Sequence, residues 1–365
     1  MDSDKKNVFM RIVTQRGMAQ VLTVAVGLVL LCVVFAMINP NFISTRNIPN
    51  LLRQIVPFLI IGIAQAYVLI TGNIDLSIGS VVGMSCMMSA TLMTRGHMNP
   101  LPAVIITMAV CLIFGLINGI LVGKFKLPPF IATLGTMTIC RGIAQIANGG
   151  RNTDSILKPT GAAGEVFRNI FYQGKIDFGD PKNPVFILYS GVILAAVIWA
   201  VFNFLLSRTR TGRHIYAIGS NPEAAKLSGV DIVATTCSAY LISAFCAGTV
   251  GLITMATTTL GTMDAGNTYE LYAVAAAVIG GVSTLGGQGL LVGVIVGAAI
   301  WAVLQNGLSL ANAQVAIKNI VVGLIVVLSV MLDVVIRGGA SGGPKSLFTK
   351  WFRRAGENQQ ATPPQ

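Results

Sequence analysis

The side chains in this sequence that could do chemistry are few, and most of them are placed to pack. Each of the six cysteines, Cys32, Cys86, Cys111, Cys140, Cys237 and Cys246, lies inside an apolar run, with no CxxC pair and no metal-ligand spacing. The two histidines, His97 and His214, stand far apart in the chain. Small apolar packing residues are therefore expected at the cysteines, and a disulfide framework, a metal site and Cys/His catalysis are not. The nearest thing to a Walker A motif runs from Gly338 to Gly343, but Pro344 intervenes before Lys345-Ser346 and no strand precedes it. It cannot form a phosphate cradle. If ATP powers this protein, a separate subunit hydrolyses it.

Inside the apolar runs the charged residues include Asp75, Arg141, Glu270, Lys318 and Asp333. Charge at that depth is expensive, so each needs a partner or a nearby headgroup. Arg141 sits deepest in its run and should pair with a carboxylate or with backbone carbonyls. An ion-driven carrier usually shows a relay of several such groups. Here Gln65, Asn118, Gln145, Gln305 and Asn306, with many Ser and Thr, take their place. Neutral hydrogen-bonding groups suit an uncharged polyhydroxy solute better than an ion.

The segment 207–231 carries the most information. Asn221 can act as an N-cap, Pro222 fits the first helical position, and Glu223 complements the positive end of the dipole. Ala224, Ala225, Lys226 and Leu227 continue the helix, and Gly229 can end it in the left-handed conformation. A complete short helix between two apolar runs has the form of a docking element.

These residues must be positioned by membrane-spanning helices. Of 365 residues 54% are hydrophobic and only 10% charged, and mean hydropathy is +0.75. That is far below the charge a soluble surface needs, about 25%. Ten runs approach the ~20 apolar residues required to cross a bilayer: 18–38, 51–71, 75–94, 101–122, 130–148, 185–206, 232–256, 268–281, 290–306 and 314–336. The first is too long for a cleaved signal peptide and leaves through Asn39-Pro40 without a small-x-small site. Net charge is +12, with the basic residues at run ends rather than interleaved with aromatics, so nucleic acid is not an expected partner.

Lys5, Lys6, Arg11 and Arg16 place the N-terminus in the cytoplasm. Ten crossings then put 207–231, the glycine-rich stretch near 282–289 and the C-terminus on the same side, and 149–184 outside. The expected organisation is a cytoplasmic segment 1–17, one all-α transmembrane domain 18–337, and a tail 338–365. Leu347, Phe348, Trp351 and Phe352 in that tail suit the inner leaflet of the membrane, and its end is expected to be disordered.

A shift of about 188 residues lays Gly72-Asn73-Ile74-Asp75 on Gly261-Thr262-Met263-Asp264 and Asn118-Gly119 on Asn306-Gly307. Spans 2–5 then correspond to spans 7–10. Copies five crossings apart have opposite orientation, the inverted repeat common in transporters. Rows of glycine at spacing four (Gly115, Gly119, Gly123; Gly289, Gly293, Gly297) are expected to let helices approach closely.

The stretch Gly212 to Gly229 resembles the coupling loop of permease subunits of bacterial monosaccharide ATP-binding cassette importers, the ribose, galactose, xylose and arabinose type. Three further blocks are similar to the same family. They are Gly72 to Gly79, with Asn73 where the family more often has Gly, Pro128 to Gly135 with Arg141-Gly142, and Glu270-Leu271 through Ala275–Gly281 to Asn306-Gly307. The resemblance spans nearly 20–336. It implies a type II ABC importer-like permease in the inner membrane, with three partners: an ATPase with two nucleotide-binding modules that holds ATP and Mg, a periplasmic sugar-binding protein, and a second permease chain as a homodimer. It further implies that Gly219, Asn221, Pro222, Glu223, Ala224, Ala225, Lys226 and Gly229 engage the ATPase. Asn73, Asp75, Asn118, Thr133 and Asn306 are the candidates to line the path. An ion-coupled secondary transporter of a small neutral solute is the alternative, and an integral membrane enzyme comes third because no catalytic set lies at one depth.

Overall fold

A computed structural model describes residues 18–180 and 183–338. The basic N-terminal segment 1–17 and the tail from 339 onward, with its basic-aromatic stretch, lie outside the described residues.

Helix α1 (Met18–Ile38) ends at Asn39-Pro40, where a 3-10 turn (Pro40–Ile43) begins. It is followed by α2 (Asn47–Ile70), α3 (Ile78–Thr94), α4 (Pro100–Gly123) and α5 (Pro129–Ala147). Proline opens both α4 and α5, where its missing N–H and fixed φ are no handicap. After α6 (Leu157–Arg168), a π-turn (Asn169–Gln173) and a two-stranded hairpin, β1 (Lys175–Asp180) and β2 (Asn183–Tyr189), comes α7 (Ser190–Arg208). The chain continues through α8 (Arg210–Ser220), α9 (Pro222–Leu227), α10 (Ile232–Thr258), α11 (Tyr269–Ile279), α12 (Leu291–Leu310) and α13 (Val315–Gly338).

Among the described residues seven helices are long and apolar enough to cross a membrane, namely α1, α2, α4, α5, α7, α10 and α12; α3, α11 and the apolar Val315–Met331 of α13 are shorter. One departure from the sequence reading concerns the sixth run. Its first residues form β2 instead of helix, because Phe186 and Ile187, aromatic and β-branched, pair across the hairpin, Phe178 opposite Phe186 and Asp177 opposite Ile187. Apolar content alone does not separate a short strand from the start of a helix. The all-α expectation therefore holds for the spans and fails for this hairpin.

The centre of the bundle is α2 and α10, whose apolar stretches are 78% buried against 11% for α1. Val26, Val29, Leu30, Val33 and Met37 of α1 face outward, as a lipid-facing helix requires. The packing is reciprocal: α2 lies against α11 and α12, while α10 lies against α3 and α4, and α2 and α10 touch each other. The glycine rows do pack. Gly115, Gly119 and Gly123 press onto Tyr240, Cys237 and Thr236 of α10, and Gly293 and Gly297 onto Gly280 and Ala276. Gly289 precedes α12 at φ +156° and belongs to the turn.

Candidate functional site

At one end of the bundle α8 and α9 form a small platform. Asn221 caps α9 by accepting from the Ala224 amide at 3.0 Å. Gly229, at φ +81°, closes it with Gly229 N donating to Lys226 O and Val230 N to Ala225 O, both at 3.0 Å, the Schellman pattern. Ala225 is the buried side of α9 at 5% exposure, and Leu227 projects outward at 90%; Asn221, Pro222, Glu223, Ala224, Lys226 and Gly229 are all exposed.

Helix α8 was not evident from the sequence, yet it joins the platform to the bundle. Thr209 caps it, and Tyr216 donates to Gly289 O at 2.6 Å. Burial pushes the Tyr216 hydroxyl up to about 12, so it stays a donor throughout the physiological range. Gly219 is half-buried. A Cβ there would collide with Ile70 O and Gly287 N, and Gly287 N itself donates to Ile70 O at 2.8 Å. Backbone thus meets backbone where α8, the end of α2 and the α11–α12 turn converge. Gly219, expected on the docking surface, instead lies in this junction, and a cleft of about 470 Å³ opens beside it, lined by Asn73, Lys126, Pro128 and Pro222 among others.

Just beyond Ile70 the chain folds back before α3 begins. Asp75, 3% exposed, accepts at Oδ1 from Ser77 N (2.9 Å) and Ser77 Oγ (2.6 Å), and at Oδ2 from Ser243 Oγ (2.7 Å). Asn118 donates to Ser77 Oγ at 3.0 Å and accepts from Thr136 Oγ1 at 2.8 Å. Tyr240 donates to Ile74 O at 3.0 Å. One buried network therefore ties the start of α3 to α4, α5 and α10. Thr133 is fully buried, and its hydroxyl donates to Pro129 O of its own helix at 2.9 Å. Asn73 donates to Thr71 Oγ1 at 2.8 Å. Asn306 is elsewhere: it exchanges hydrogen bonds of 2.9 and 3.1 Å with Asn47, at the opposite end of the 24-residue α2, roughly 36 Å away at 1.5 Å per residue. The structure thus unites Asp75 with Asn118, sets Asn73 on the cleft beside them, and separates Asn306 from all three.

The two short helices α3 and α11 begin against each other. A Cβ on Gly79 would meet Gly266 O, and one on Gly266 would meet Gly79 O. Only glycine permits this reciprocal approach. Arg141 of α5 donates to Ala265 O at 2.9 Å, so backbone carbonyls of the bend before α11 hold its charge.

A second cleft, of about 440 Å³, lies toward the Asn47 end of α2. Phe58, Tyr269 and Tyr272 wall it, with ring centroids 5.6–6.4 Å apart, and Gln54, Gln305 and the threonines of the α10 terminus complete it. Arg53 at its rim is held between the rings of Tyr172 (4.5 Å) and Tyr189 (4.3 Å). Of these, only Gln305 stood out in the sequence as a polar residue within a span; no sequence spacing brings the first turns of α2 to the start of α11. Among the described residues no group of three or more His, Cys, Asp or Glu could hold a metal ion.

Residues 47–330 match the family described as branched-chain amino acid transport system / permease component. The chain is 33% identical to the ribose import permease of Bacillus subtilis, covering 87% of this chain and 94% of that one. It is 34% identical to the galactose/methyl galactoside import permease of Haemophilus influenzae, covering 84% and 91%. It is 33% identical to the D-allose transport system permease of Escherichia coli, covering 84% and 89%. No solved structure matches.

Proposed function

Because this chain belongs to the branched-chain amino acid transport system permease family, we propose that it is the membrane-spanning subunit of an ATP-binding cassette importer that carries a monosaccharide across the bacterial inner membrane. The relatives' names assign import of ribose, galactose or methyl galactoside, and allose, and a pentose or hexose is the substrate class taken over here. The chain supplies no ATPase site. A separate ATPase with two nucleotide-binding modules binds ATP and Mg, and a periplasmic binding protein delivers the sugar.

The observation that carries this reading is the α8–α9 platform. A capped helix exposes Glu223, Lys226 and Leu227 and is fastened by backbone contacts at Gly219 to α2 and to the α11–α12 turn. A push on α9 is transmitted directly to the inner ends of these helices, since close-packed backbone has no slack to absorb it. The platform lies on the cytoplasmic side in this reading, with both termini cytoplasmic and ten crossings. The reciprocal packing of α2 and α10, and the Gly79–Gly266 contact, support spans 2–5 and 7–10 as an inverted repeat. Two copies pair in the lipid bilayer as a homodimer, with the path between them. Asn73 marks its inner end, Asn306 its outer end, and Asp75, Asn118 and Thr133 brace its walls.

The test is affinity purification in mild detergent from cells expressing the whole operon. An ATPase is expected to co-purify in stoichiometric amount with the native chain, and about tenfold less with Glu223→Lys, while the variant remains folded in the membrane. A chain that purifies alone, and that takes up solute in liposomes under an ion gradient without ATP, sinks the importer reading in favour of the secondary carrier.

A further inference from the structure

We propose that the cleft between α2, α10, α11 and α12 is a binding site for a neutral polyhydroxy solute, built within a single chain; this rests on the monosaccharide reading above. Its volume, about 440 Å³, lies within the range of small-molecule sites. Its walls combine two chemistries that a sugar presents together. Phe58, Tyr269 and Tyr272 offer ring faces, whose negative quadrupole attracts the weakly positive C–H faces of a sugar ring. Gln54 and Gln305 offer side-chain amides, each with two donors and an acceptor, and neither side chain has a hydrogen bond among the described residues.

The threonines add acceptors. Thr254 and Thr257 donate to carbonyls of their own helix, Val250 O and Ile253 O, both at 2.8 Å, which leaves their oxygens to accept from a solute hydroxyl. Charge is kept back: among the described residues Arg53 is the single charged one lining the cleft, and it is sandwiched between two tyrosine rings.

An independent observation lies behind the aromatic wall. Trp301 stacks on Tyr272 at 5.0 Å. It is 1% exposed, and its indole N–H has no partner among the described residues. Neither amide atom of the fully buried Gln65 has one. Trp301 and Gln305 are four residues apart on α12; Gln54, Phe58 and Gln65 fall at spacings of four and seven on α2, so each set shares one helix face. The two helices pack together. Unpaired hydrogen-bonding groups therefore continue from the cleft into the packed interior behind its aromatic wall.

The test uses the importer assembled with its ATPase and binding protein in proteoliposomes, with D-ribose, D-galactose and D-allose as probes. Thr257 is exposed and five of the six native cysteines are buried, so Thr257→Cys introduces a selectively reactive thiol. A transported sugar should slow maleimide labelling of that thiol at least threefold. Adding Gln54→Ala and Gln305→Ala should abolish the protection and lower maximal uptake at least tenfold, with ATPase co-purification unchanged. Transport without protection, or full uptake in the double alanine variant, overturns the site and leaves the importer reading standing. Failure of the native assembly to take up any of the three sugars overturns the monosaccharide reading, and this site with it.

Discussion

Gln65 and Asn118 are both amides sealed inside the bundle, 0% and 1% exposed, and they stand in opposite condition. Asn118 bridges Ser77 to Thr136 and so belongs to the network around Asp75. Gln65 has no partner for either of its polar atoms among the described residues. A buried polar group that is fully paired fixes the relative position of the helices it joins. One left unpaired lowers stability by about 1–3 kcal/mol, a cost that a folded chain retains where function requires it. The network around Asn118 therefore holds helices together, whereas Gln65 contributes no hydrogen bond that does so.

Three substitutions test this contrast, all measured by thermal unfolding in detergent alongside uptake. The largest effect is expected from Asn118→Leu. It removes both bridging hydrogen bonds and forces a branched side chain into a packed site, at a cost of about 3 kcal/mol, so the melting temperature should fall and uptake with it. An unchanged melting temperature would show that the network does not brace α3.

Gln65→Leu should move stability the other way. Replacing an unpaired buried amide by an apolar group of similar size should stabilise by about 1–2 kcal/mol while slowing uptake. A variant that is both less stable and fully active removes the contrast altogether. The smallest change is expected from Thr133→Val, whose lost hydroxyl bonds only to its own helix; stability should shift by less than about 1 kcal/mol. A larger loss would mean that Thr133 supports the neighbouring network at Thr136.

Much of this organisation was legible in the residues. The ends of the long spans follow from Asn39-Pro40, Pro100, Pro129 and Asp231, each a local stop or start signal. Helix α9 was readable down to its caps because capping is decided within a few residues of the chain. Helix α8 was not, because its polar sequence Arg210–Ser220 shows no long apolar run and its stability comes from Gly219, Tyr216 and Ile215 meeting distant segments. The hairpin was missed for a related reason: β2 continues without a break into the apolar α7.

The sequence by itself determined that this is a membrane protein of many helices, with a short capped helix between two of them and neutral polar groups in its interior. Those properties depend on composition, on period and on local capping, all of which are written along the chain. Only the tertiary structure decided that Asp75 and Asn118 share one network while Asn306 pairs with Asn47, and that Gly219 is a joint. It alone assembled the aromatic cleft, because its walls come from helices about 200 residues apart in sequence, and their meeting depends on how helices pack in three dimensions.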